Sequence, residues 1–240
     1  MSSDELSPLI DGPALDFLSC AEMEIEGRMP WSSNATFLVN LTYEESTHQA
    51  IYKPVRGERP LWDFEPGLHR RECAAYHLSH ALGIQVVPPT VIRDGPFGEG
   101  SVQWFVDADH SQHYFTIFEN REDLHDQLRQ IAAFDFVANN TDRKSGHCLI
   151  AGDHVWGIDH GLCFAAEYKL RTVIWEFAGE EIDPALITAL RSLRADPPTS
   201  VIELLSAAEA EALMERTDHL IATGEFPGDE TGQRYPWPLV

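Results

Sequence analysis

Asp142, His147 and Asp159 fall within one stretch, residues 135–163, which reads DFVANNTDRKSGHCLIAGDHVWGIDHGLC. A carboxylate in a polar loop can orient and deprotonate an attacking hydroxyl, and Asp142 is the candidate for that base. Lys144 could neutralise charge developing on a moving phosphate. Asp159 is a hard oxygen ligand of the kind Mg²⁺ takes alongside substrate phosphates. His147 and Asp159 stand at the two ends of a short apolar hairpin, which brings them close in space. Imidazole favours softer metals, so Asp142, His147, Asp159 and His160 also read as a transition-metal set of a hydrolase, although their spacing matches no zinc motif. The loop NNTDRKSGH also suits an ordinary turn capped by its own side chains.

A second pair of charges lies upstream. Lys53 shares a strand face with Ile51 and Val55, and Glu72 lies on the apolar face of a helix. A buried charge is costly unless paired, so each would answer the other if the helix packed on the sheet. The alternative is that Lys53 snorkels to water and Glu72 is a solvated helix charge.

The elements that must position these groups follow from periodicity. A short helix is expected over 13–19. Met23 and Ile25 alternate with Glu22, Glu24 and Glu26 and stop at Gly27, a half-buried strand. Phe37, Val39 and Leu41 mark a second strand and residues 49–55 a third, suggesting an antiparallel meander. Leu68, Ala75, Leu78 and Leu82 recur at helical spacing before Gly83. Strands are expected over 90–93 and 101–106, then a linker, VDADHSQHY. Residues 123–139 carry the clearest helical stripe (Leu124, Leu128, Ile131, Phe134, Ala138), with Asp123 as its cap. Asp135, on the inner side of that helix, is placed to accept backbone N–H groups from the loop. Strands at 148–150 and 155–158 are joined by Ala-Gly-Asp. Asp183-Pro184 and Ser206–Glu209 open two later helices. The FPGDETGQRYPWPLV stretch reads as irregular.

Composition narrows the chemistry. With 240 residues, 43% of them hydrophobic, the chain can bury a sizeable core. The formal net charge of −22 repels nucleic-acid phosphates and anionic headgroups, so neither nucleic acid nor stable membrane association is expected. No apolar run reaches the roughly 20 residues of a membrane span. The acidic start and the four scattered cysteines suggest free thiols in a reducing cytoplasm. Only three basic residues are lysines, Lys53, Lys144 and Lys169, which singles out each of them.

The ordered set IYKP, GEGSVQWFV, DFVANNTDRKSGH and GIDHGLCF resembles the phosphatidylinositol 3-/4-kinase superfamily. The likeness is to type II phosphatidylinositol 4-kinases and an actinobacterial-type branch of unknown substrate, and more distantly to HipA-like and Fam20-like atypical kinases. It covers roughly residues 22–180. The resemblance implies an α+β, two-lobed, protein-kinase-like fold, with an antiparallel-sheet lobe over 1–107 and a mainly helical lobe over 108–240. It implies ATP with Mg²⁺ or Mn²⁺ as cofactors and a protein or soluble small molecule as acceptor. Lys53 would contact the ATP phosphates with Glu72 as its ion-pair partner, and Ser32, Ser33 and Asn34 would lie over them. Gln103, Trp104, Phe105 and Val106 would form the hinge that holds adenine. Asp142 would be the catalytic aspartate, Asp159 the main metal ligand and His147 the second.

Departures from the family pattern bear on function. His147 stands where most relatives have Asn, and His160 replaces a common Asn. The cysteine-rich palmitoylation segment is absent, and only Arg143, Lys169 and Arg171 suggest a basic pocket for an inositol phosphate. The expected activity is ATP-dependent phosphoryl transfer to a hydroxyl. The alternatives are a nucleotide-binding pseudokinase serving as an interaction module, AMP transfer by the same fold, and the metal-dependent hydrolase.

Overall fold

The computed structural model describes residues 12–30, 34–61 and 64–239. The Met23/Ile25 alternation becomes β1 (Glu22–Arg28), with the glutamates outward and the two apolar side chains half-buried. It pairs antiparallel with β2 (Phe37–Tyr43), and the register slips between Ile25 and Gly27. β3 (Ser46–Pro54) starts earlier than the apolar run suggests, because β2 and β3 stay paired out to Tyr43 and Ser46. β4 (Thr90–Gly95) and β5 (Gly98–Trp104) complete a five-stranded antiparallel sheet in the order β1-β2-β3-β5-β4. The meander therefore holds for three strands, after which β5 inserts beside β3. β5 ends at Trp104, so Phe105 and Val106 lie beyond it.

Two apolar clusters form the interior. On one sheet face, Ala14 and Leu18 of α1 (Gly12–Cys20) pack with Val39, Leu41, Ala50, Tyr52, Val102 and Trp104. Ala50 and Tyr52 point into this cluster, so the alternate positions Ile51 and Lys53 take the opposite face. Lys53 is thus on the side toward α2 (Leu68–Ala81), not in the dry core. The larger cluster joins α2 to the helical half of the chain. That half comprises α3 (Tyr114–Asn120), α4 (His125–Ala138), the hairpin β6 (Cys148–Ala151) and β7 (His154–Gly157), α5 (Pro184–Ala195), α6 (Thr199–Ile202) and α7 (Ala207–Thr223).

All five stripe residues expected on α4 are buried. Its start differs from expectation. Residues Glu122–Leu124 make a 3-10 turn, and Asp123 is held by Arg121 (2.7 and 3.0 Å) instead of capping the helix. The supposed linker ends in α3, whose seven residues are too few to show a helical period. Asp183 and Ser206 do cap α5 and α7, and Glu209 completes the box at α7. The four cysteines are free thiols. Among the described residues no helix is long and apolar enough to cross a membrane.

Gly100 sets the spacing of the sheet beside Lys53. A Cβ there would overlap the Lys53 carbonyl and stand 2.7 Å from Pro54 Cα, both backbone atoms that cannot swing aside. Gly100→Ala is expected to cost about 1–3 kcal/mol through that overlap, read as a lowered denaturant midpoint.

Candidate active site

The helix α2 delivers Glu72. Gly67, in a left-handed conformation (φ 107°), offers no side-chain cap. Glu58 substitutes, accepting from Gly67 N (3.1 Å), His69 N (3.0 Å) and His69 Nδ1 (3.1 Å). Burial pushes the Glu58 carboxyl up, but the His69 side chain and the surrounding backbone N–H groups outweigh it and hold it at about 2. On the far side, Arg70 donates to the Glu203 and Leu204 carbonyls (2.6 and 3.2 Å), and Arg71 pairs with Glu209. The sole apolar stripe seen in the sequence therefore understates how α2 is held.

Glu72 is buried and ion-pairs with Lys53, while its other oxygen accepts from His160 N (3.0 Å). Lys53 also reaches Asp159 Oδ1 at 2.8 Å. Burial pulls the lysine pKa down, but Asp159 and Glu72 more than reverse it, so Lys53 stays charged. The Lys53 charge in turn holds Asp159 far below the usual carboxylate range. The snorkelling alternative for Lys53 does not describe this geometry.

The loop after α4 is pinned by its own side chains. Asn139 takes a left-handed conformation (φ 51°) and closes the helix, its amide donating to the Ala165 and Glu167 carbonyls (2.8 and 2.7 Å). Asn140 donates to Asp135 (2.9 Å) and accepts from Asp142 N (3.0 Å). Asp135 does not receive backbone N–H groups at its carboxylate, as the sequence suggested. It receives the Arg143 guanidinium, at 2.9 Å from Nε and 2.8 Å from Nη2, with both side chains fully buried. Arg143 also donates to the carbonyls of His147 (3.1 Å) and Ile158 (3.0 Å) and to His160 Nε2 (2.7 Å). A guanidinium so committed is no part of a basic pocket for an inositol phosphate. Its role was hidden because its partner lies eight residues upstream on another element.

On this frame Asp142 and Lys144 meet, Lys144 Nζ lying 2.9 Å from Asp142 Oδ2. Burial pushes the Asp142 carboxyl up, with Lys144 and His147 opposing. Asp159 sits in a left-handed conformation (φ 62°), a strained position for a residue with a Cβ. Its neighbour Gly161 lets the chain pass close to α2, where a Cβ would meet Leu68 Cβ at 3.3 Å and Glu72 Oε1 at 3.4 Å.

His147 Nδ1 lies 2.9 Å from the Asp142 carbonyl, which can only accept; that short contact outweighs the longer one from Lys144 N (3.4 Å) and puts the proton on Nδ1. Burial lowers the His147 pKa and keeps the ring neutral. Its Nε2 lone pair therefore faces Asp159 Oδ2, 3.6 Å away, with the Asp159 side chain half exposed (51%). Two electron-pair donors facing each other fit a divalent cation between them. Among the described residues no three His, Cys, Asp or Glu side chains are grouped to hold a metal. One carboxylate and one imidazole leave most of a cation's coordination to phosphates and water; the carboxylate suits Mg²⁺ and the imidazole a softer divalent cation. His160 stands outside it, fully buried with Nε2 against Arg143, so the four-residue hydrolase set does not assemble.

The remaining expected contacts are uneven. Ser32 and Ser33 lie outside the described residues, while Asn34 Oδ1 accepts from Arg59 N (3.0 Å). Gln103 spends its amide on Thr90 Oγ1 (2.9 Å), and Trp104 packs against Phe17 and His48 on the far sheet face. Trp104 is thus turned away from the Lys53 face, whereas Gln103, opposite Ile51 in the register, lies on that face. Trp104 N donates to Pro89 O (2.8 Å) and Phe105 N to Gln49 O (3.2 Å), and Val106 is buried.

No family model matches the chain. It is 37% identical to protein Rv2133c of Mycobacterium tuberculosis over an alignment of 276 residues, covering 99% of this chain and 96% of that protein. The chain belongs to the same family. Hydra Fam20, solved with sugar, superposes with a TM-score of 0.57 at 13% identity, covering 93% of this chain and 95% of that one. A Golgi casein kinase superposes with a TM-score of 0.55 at 16% identity, covering 87% of this chain and 74% of that one. At these identities the likeness is one of fold: the family member described here has an α+β, kinase-like fold.

The Glu58 cap gives a pH test of how α2 is held. Its folded pKa, about 2, lies below the ordinary 4.5, so the stability it contributes is present above 4.5 and is lost as pH falls toward 2. Unfolding midpoints should drop across that window, and Glu58→Gln should flatten that part of the profile.

Proposed function

We propose that the chain is an ATP- and divalent-metal-dependent phosphotransferase acting on a hydroxyl of a protein or soluble small molecule. The observation that carries this reading is Lys53, held between Glu72 and Asp159 while Asp142, Lys144 and His147 lie at the same place. The kinase-like fold supports it. The motif likeness to type II phosphatidylinositol 4-kinases belongs to the same reading, although a net charge of −22 favours an acceptor other than an anionic lipid or nucleic acid.

In this reading nucleotide lies between lobes 1–107 and 108–240. Lys53 binds its phosphates, and Glu72 keeps the ammonium aimed at them. The loop around Asn34 covers the phosphates, and the hinge offers adenine its backbone and the side chains of Phe105 and Val106. Asp159 and His147 hold the divalent cation, which when bound screens the phosphate charge. Asp142 orients the acceptor hydroxyl and takes its proton at a carboxylate oxygen. The raised pKa from burial makes it a better base than an exposed aspartate. Lys144 meets the charge that builds on the transferred group.

Calorimetric titration with ATP, first with Mg²⁺ and then with Mn²⁺, should show metal-dependent binding that disappears in Asp159→Ala. Absence of binding with either metal would reduce the kinase likeness to fold alone. Asp142→Asn should keep nucleotide binding and lose about 10²–10⁴-fold in turnover. Undiminished turnover would remove Asp142 as the base. Binding without turnover in the unaltered chain would favour the pseudokinase, and a product heavier by one nucleotide would favour AMP transfer.

A further inference from the structure

Among the described residues beyond α7 the chain forms no helix or strand, yet it returns to the loop that carries Asp142. Phe226 exchanges backbone hydrogen bonds with Gly179 and Glu180 (each 2.9 Å), and its side chain is buried in the core. The Asp229 carboxylate then folds a turn, accepting from Thr231 N (2.9 Å), Thr231 Oγ1 (2.6 Å) and Arg234 N (2.7 Å). The Arg234 carbonyl accepts from Thr172 N (3.1 Å) and Trp175 Nε1 (3.3 Å), and its guanidinium lies 4.5 Å over the Tyr168 ring. Finally the Leu239 carbonyl accepts from Ser145 N at 2.8 Å.

These contacts meet the loop at two levels. Residues 171–173 run beside Arg143, with Arg143 N donating to Arg171 O (3.0 Å) and Val173 N to Arg143 O (3.1 Å). Ser145 opens the 3-10 turn that ends in His147, and it is fully buried. A buried N–H left without an acceptor is costly, so the conformation of this turn depends on Leu239. Core packing holds the segment at Phe226 and, among the described residues after it, only at Pro236. Tyr235, Trp237 and Leu239 are exposed, Trp237 at 89%, so backbone hydrogen bonds hold it in place.

We propose that residues 225–239 are a positioning strap for the site, holding the Ser145–His147 turn so that His147 and Asp142 keep their places. A strap with little apolar burial lies at the low end of local stability, so it can be released while the fold stands. Its effect on turnover rests on the phosphotransferase reading; its effect on the loop does not.

Two variants test it: a chain shortened to end at Tyr235, and full-length Asp229→Ala, which opens the turn without touching the loop. Hydrogen exchange at the Ser145–His147 amides should accelerate about tenfold or more in both, with the unfolding midpoint nearly unchanged. Basal hydrolysis of ATP should fall about tenfold in kcat with a smaller rise in KM for ATP, since Asp142 and His147 are displaced while Lys53 and Asp159 keep their places. Unchanged Ser145 exchange in both variants would overturn the proposal, as would exchange rising evenly along the whole chain. If the unaltered chain shows no ATP turnover, the phosphotransferase reading fails, while the exchange experiment still decides the strap.

Discussion

The Asp135–Arg143 ion pair is the interaction on which the rest of the structure depends. Taking both charges out of water is expensive, and only a nearly complete set of hydrogen bonds makes it tolerable. Arg143 supplies that set by binding the carbonyls at both ends of the β6–β7 hairpin and the ring of His160. One guanidinium thereby fixes the end of α4, the loop bearing Asp142 and the strand exit bearing Asp159. Without it those segments have little apolar packing to hold them, since the loop is polar throughout.

Charge in the site is likewise balanced locally. The chain as a whole carries −22, yet its candidate site alternates signs over short distances: Glu72, Lys53, Asp159, His147, Asp142, Lys144. Each acid has a basic or neutral nitrogen beside it. Local pairing, and not the overall field, keeps Lys53 charged and Asp159 ionised.

Much of this was legible in the residues. Alternation of apolar and acidic side chains placed β1, and helical spacing placed α2 and α4, because burial of one face leaves a direct periodic trace. The cost of burying a charge pointed to pairing Lys53 with Glu72, with a snorkelling lysine and a solvated glutamate as the open alternative. What the sequence withheld depends on long-range partners. The Asp135–Arg143 pair, the hold of Arg70 and Arg71 on the helical half, and the contact of Leu239 with Ser145 leave no local pattern. Short elements were lost too: α3 has too few turns for a period, and Asp123 had a nearer partner in Arg121 than the helix start it resembled. Trp104 was misplaced for a related reason, because strand alternation says which residues share a face but not which face is the cleft.

The attachment of α2 has a mechanical meaning. Its Arg70 and Arg71 grip α6, α7 and the turn between them, and its apolar side merges with the core of the helical half. Any swing of this helix must drag α7 along or break a buried ion pair. The glutamate it bears is therefore locked in register with Lys53 from the moment the chain folds.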